Sequence, residues 1–111
     1  MNPDLLRGNL DLILLSILEA RPLYGFAIIQ EARERTDGYF DFKEGSLYPA
    51  LHRMVKAGWV ESEWQPSDRG GAPRKVYRLT ESGQAALSAK RQEWRTLRGA
   101  LDALLTSRAT A

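Results

Sequence analysis

The last third of the chain constrains it most. From Thr80 the sequence reads as one helix reaching about Thr106, with the Thr80 side chain as its N-terminal cap. Leu87, Trp94 and Leu101 recur every seven residues, and Leu97 and Leu104 fall three residues after Trp94 and Leu101. This is a short heptad seam, interrupted where Lys90 stands in an apolar position. A helix of about 26 residues spans roughly 39 Å. That exceeds the width of a head of about 75 residues, so the far half would project into water. The stripe could pack on the chain's own core, but its length favours a second copy, and two-fold pairing is the commonest solution. Leu87, Leu97, Leu101 and Leu104 are the expected contacts of such a pairing.

A length of 111 residues fits one folding unit. We divide it into a head, residues 1–79, and a C-terminal dimerisation helix with a frayed tail, residues 80–111. The head opens with a helix start at Asn2-Pro3-Asp4. Leu5, Leu6, Leu10, Leu12, Ile13, Leu14, Leu15, Ile17 and Leu18 then follow. A surface helix needs one apolar stripe, and this one is apolar on more than one face. It is therefore expected to be buried on two sides, by its own core and through Leu10 and Leu14 by a partner. A central helix in a monomer is the alternative.

Arg21-Pro22-Leu23 breaks that helix, and a second runs from near Tyr24 to about Thr36 with Phe26, Ile29 and Ala32 or Arg33 inward. Gly38 follows its end. A third helix opens at Glu44-Gly45-Ser46 and ends at Gly58, with Ser46 as the expected cap and Pro49 in its first turn. Residues 59–65 and 74–79 read as strands. Two prolines and two adjacent glycines make residues 66–73 a loop, so the pair forms a β-hairpin with an extended tip. The class is mainly α with a small β-hairpin, in the order of a winged helix-turn-helix.

With no cysteine and one histidine, His52, disulfides and thiolate metal sites are excluded, and no cofactor is expected. The apolar run at residues 10–18 is too short to span a membrane and carries Asp11 and Ser16. No export signal is read, so a cytoplasmic protein is expected. No nucleophile stands beside a base in a recognisable motif, so an enzyme is not expected.

The net charge is +2, and what matters is where the cations sit. On the third helix Leu47, Ala50, Leu51, Met54 and Val55 share one side. Tyr48, Pro49, His52, Arg53 and Lys56 share the other, which holds no carboxylate. Such a helix fits the major groove of DNA, with its start presenting backbone N–H groups to phosphates. The hairpin adds Arg69, Arg74, Lys75 and Arg78, although Glu61, Glu63 and Asp68 oppose them. A winged-helix module that docks a protein, without DNA, is the alternative. It would need an apolar patch on the third helix.

Several stretches resemble the PadR family of bacterial regulators. They are Leu23-Tyr24-Gly25-Phe26, Glu44-Gly45-Ser46-Leu47-Tyr48-Pro49-Ala50-Leu51, Gly58-Trp59-Val60-Glu61, and residues 70–83 with Tyr77-Arg78-Leu79-Thr80-Glu81-Ser82-Gly83. The resemblance implies a dimeric winged-helix repressor of double-stranded operator DNA, with Tyr24, Lys43 and Ser46 joining the DNA-facing set. It implies dimerisation of the last helix against the first. It also implies that Trp94 and its symmetry mate wall a slot for a planar hydrophobic small molecule, helped by Leu15 or a neighbour from the first helix. Trp94 as a plain dimer-core residue remains the alternative.

Overall fold

The computed structural model describes residues 3–67 and 70–106. Arg69, Asp68, Asn2 and the expected tail at 109–111 lie outside them. The elements are α1 (Pro3–Ala20), β1 (Leu23–Tyr24), α2 (Gly25–Arg35), α3 (Glu44–Lys56), β2 (Val60–Gln65), β3 (Arg74–Leu79) and α4 (Glu81–Leu105). The fold is a winged helix with a long C-terminal helix, as expected.

The hairpin is a three-stranded sheet in the order β1-β3-β2. β1 pairs antiparallel with β3, Leu23 opposite Tyr77 and Tyr24 opposite Val76. A two-residue strand carries no period of its own; only the pairing with β3 defines it. On α2 the buried residues are Gly25, Ile28 and Ala32. Phe26, expected inward, is 56% exposed. The apolar run at residues 26–29 points all round the helix, so packing rather than pattern selects Ile28.

The α3 boundary also differs from expectation. Lys43, in extended backbone, is the N-cap, and it makes no side-chain cap bond. The Ser46 and Leu47 amides donate to its carbonyl at 3.0 and 3.1 Å. Ser46 is therefore inside the first turn, and Pro49 falls in the second, where its missing N–H leaves the Gly45 carbonyl without its helical donor. α3 buries Leu47, Ala50, Leu51 and Met54 against the head core of Leu14, Leu15 and Ile28. Burying an aliphatic side chain of this size is worth about 1.5–3 kcal/mol, so these contacts dominate the head's stability.

α4 starts as read. The Thr80 hydroxyl accepts from the Gly83 amide at 3.0 Å and donates to the Gly58 carbonyl at 2.6 Å. A Cβ at Gly83 would collide with the Trp59 carbonyl, so only glycine lets the helix begin this close to the α3–β2 turn. Leu87 is fully buried in the head. Lys90, out of place in a heptad, puts its ammonium 5.2 Å from the Trp59 ring centre. The next residue, Arg91, grips Glu19 of α1 at 2.6 and 3.0 Å, and Gln84 donates to the same carboxylate at 2.9 Å. Beyond this point residues 92–106 are all exposed. Half of α4 leaves the head, as its length requires.

Leu10, Leu14 and Leu87 were expected at the dimer seam. They are 8%, 0% and 0% exposed, inside the chain's own core, and present nothing to a partner. α1 uses these positions to cover α3 and the foot of α4. Of the expected seam, Leu97, Leu101 and Leu104 are the exposed members.

The hydrogen bonds from Arg91, and then from Gln84, hold the Glu19 carboxyl down to about 2 from its ordinary 4.5. A group with a lowered folded pKa stabilises the fold above its unfolded pKa and loses that effect as pH falls through the folded one. Wild type is therefore expected to resist urea better than Glu19→Gln at neutral pH. The gap should narrow below about pH 4.5 and close near 2. A gap independent of pH would contradict this.

Candidate nucleic-acid interface

With about 100° between successive residues of a helix, burial of Leu47, Ala50, Leu51 and Met54 turns a definite line of α3 outward. That line is Gly45, Pro49, His52 and Lys56, all exposed. Ser46 and Arg53 flank it toward α1, and Tyr48 flanks it toward α2. Lys43 stands exposed at the helix start.

The two flanks behave differently. Arg53 is exposed but not free: its guanidinium donates to the Asp11 carboxylate of α1 at 2.7 Å. Tyr48 lies across Gly25, where a Cβ would collide with the phenol ring. Gly25 thus permits Tyr48 to sit against the start of α2. The clash partner is the end of a side chain, so a larger residue at position 25 would displace Tyr48 rather than the backbone.

β1 stops at Tyr24, and β3 continues past it, paired only with β2. An open groove of about 680 Å³ forms there. It brings together four expected residues, Tyr24, Tyr48, Arg74 and Lys75. It also recruits Phe26 and Trp64, which sequence reasoning missed as surface residues. Trp64 shares a face with Val60, as read, but the wing extends beyond the head, so Val60 is buried and Trp64 is 68% exposed. Arg74 lies 4.5 Å from the Tyr24 ring centre and Lys75 5.6 Å from that of Trp64. Burial, with Tyr48 nearby, pushes the Tyr77 hydroxyl at the groove floor up.

Among the described residues, the expected opposition by the wing's carboxylates falls on Arg78. Glu61 and Glu63 pair with Arg78 at 3.0 and 3.5 Å. Alternation along the strands puts Lys75 and Trp64 on the opposite face, whereas Arg74 shares the face of Glu61, Glu63 and Arg78 and lies over the Tyr24 ring.

A second, smaller pocket of about 250 Å³ lies where α1 passes α4. Trp94, Glu93 and Leu97 line it from α4, and Gly8, Asp11 and Leu12 from α1. Leu15, expected here, is fully buried on the core side of α1. Leu12, a neighbour on the same helix, lines the pocket in its place.

A core-packed helix with an exposed line ending in Lys56, beside a wing that carries Arg74 and Lys75, is the arrangement of a winged helix-turn-helix. The sequence pattern of the PadR-like transcriptional regulator family matches residues 14–89. The chain belongs to this family. Among solved structures it resembles a PadR family transcription regulator of Clostridium difficile, with 36% identity, 88% of this chain and 99% of that one covered, and a TM-score of 0.78. It also resembles a transcriptional regulator of Clostridium thermocellum, with 30% identity, 93% and 99% covered, and a TM-score of 0.84. A Mycobacterium tuberculosis transcriptional regulator is 46% identical over 48 residues, 43% of each chain.

For Arg53 to reach a phosphate it must leave Asp11. Asp11→Asn removes both the competitor and a nearby negative charge. Duplex DNA is then expected to bind about two- to fivefold more tightly, since exposed ion pairs are worth little more than this. The plot of log K against log salt should steepen by roughly 0.9. Fluorescence anisotropy over a salt series reads both; weaker binding would show that the pair positions Arg53 instead.

Proposed function

We propose that this chain is a cytoplasmic transcriptional repressor that binds operator DNA as a homodimer and is released by a planar hydrophobic small molecule. The observation that carries the reading is the outward line of α3, with Pro49, His52 and Lys56 exposed and no carboxylate among them. Lys43 and Ser46 at the helix start, and Arg74 and Lys75 on the wing, extend the same surface. Arg69, expected with them from the sequence, lies outside the described residues. Among the described residues no helix is long and apolar enough to cross a membrane.

Pairing is supported by the part of α4 that leaves the head. Leu97, Leu101 and Leu104 are 55%, 43% and 82% exposed, an apolar stripe that a monomer would leave in water. A second copy would bury it and set two α3 helices at a fixed spacing, as two half-sites on DNA require. The head, residues 1–79, then reads DNA, and residues 80–111 pair. Ligand release is supported by Trp94, 41% exposed on the wall of the smaller pocket, where a flat ring could stack.

Lys56→Ala is expected to weaken binding to the DNA upstream of the protein's own coding region and to lower the salt slope by about 0.9. Sedimentation should still show a dimer of the 12.5 kDa chain. Unchanged affinity, or a monomeric wild type, would remove the basis of the reading. For the ligand, a flat aromatic compound is expected to quench tryptophan fluorescence in wild type but not in Trp94→Ala. The remaining Trp59 and Trp64 supply the control signal. Equal quenching in both proteins would place the compound elsewhere.

A further inference from the structure

We infer that the groove between α2, α3 and the wing seats one sugar–phosphate strand of the duplex, with Trp64 and Phe26 packing on deoxyribose and Arg74 and Lys75 holding the adjoining phosphates. This rests on the DNA-binding reading above and adds a non-ionic contact to it.

The first argument is exposure. Trp64 and Phe26 are 68% and 56% exposed and line one groove. Two large aromatic side chains left in water on one surface mark a contact that is made elsewhere in the protein's working cycle. The second is charge. Among the described residues, the groove wall carries Arg74 and Lys75 and no carboxylate. The third is readiness. Arg53 and Arg78 are tied to carboxylates. Arg74 and Lys75 instead rest on aromatic rings, which orient a cation without neutralising it. A phosphate can take them without breaking an ion pair.

These features match a nucleic-acid backbone in particular. Such a strand alternates an apolar sugar face with an anionic phosphate, and the groove alternates ring and cation. An acidic peptide would match the cations but leave both aromatics without a partner. The groove is also adjacent to α3, since Tyr48 belongs to both. A duplex lying along His52 and Lys56 brings one strand past it.

The contacts separate by salt dependence, because only ionic contacts release counterions. Trp64→Ala is expected to weaken operator binding about fivefold or more, as loss of a well-packed anchor does. The salt slope should not change. Trp64→Phe should retain most of the affinity. Lys75→Ala should lower the slope by about 0.9. Far-UV circular dichroism and the melting temperature should be unchanged in Trp64→Ala, since the residue packs on no core.

Unchanged affinity in Trp64→Ala, with Lys56→Ala still weakened, overturns the inference and leaves the DNA-binding reading intact. If neither variant is weakened, the reading itself fails. A lowered slope in Trp64→Ala would mean that Trp64 acts only by positioning Lys75, and would overturn the sugar contact. A shifted monomer–dimer equilibrium in the same variant would give the groove to a second copy, and would also overturn it.

Discussion

Everything in this molecule beyond its head depends on how α4 is fastened at its foot. Three fixings act within three turns. Thr80 ties the helix start to the α3–β2 turn, Leu87 is buried in the core, and Arg91 holds Glu19 of α1. A helix held at a single point could swing; the cap, the core residue and the ion pair hold one side of α4 along its first three turns. The direction in which the free half of α4 points is thus a property of the head. Any partner that pairs along Leu97, Leu101 and Leu104 inherits it. The absence of a side chain at Gly83 matters as much as any contact, because a Cβ there would lift the helix off the Trp59 carbonyl.

The second organising feature is which cations are already satisfied. Counting basic residues on the wing and on α3 overstates the charge available to a polyanion. Asp11 occupies Arg53, and Glu61 and Glu63 occupy Arg78. Among the described residues a narrower set remains: Lys43 at the N-cap of α3, Lys56 on α3, and Arg74 and Lys75 over aromatic rings. Exposed ion pairs are weak, so the distinction is one of readiness rather than of permanent exclusion. It nevertheless turns the potential of the surface toward one edge, where α3 meets the wing.

Asp11 has a place in both functional regions. Its carboxylate holds Arg53 of α3, and it also lines the pocket beside Trp94. One residue of α1 therefore touches α3 on one side and the candidate ligand pocket on the other. α1 is buried along Leu14, Leu15 and Leu18, so it links the two as a rigid element rather than as a loop.

The order of helices, the hairpin strands, the Thr80 cap and the overlong final helix were legible in the sequence because each rests on a local rule. These rules are a period of 3.6 or 2, a capping side chain, a proline, or a length that no small head can cover. The motifs around Gly45-Ser46-Leu47-Tyr48-Pro49 and Tyr77-Arg78-Leu79-Thr80 were legible for the same reason. What could not be read there was every choice between equivalent apolar residues. Leu10, Leu14 and Leu15 suit a seam or a core equally by composition; the packing of α3 and α4 on α1 put all three inside. Phe26 and Ile28 are two residues apart on a short helix, and only the position of its neighbours decides which is covered. β1 exists because β3 is beside it, and Trp64 is exposed because the wing outruns the head. Local pattern determined the elements and their order. The assembled chain decided which faces are free, because burial and ion pairing depend on residues distant in sequence.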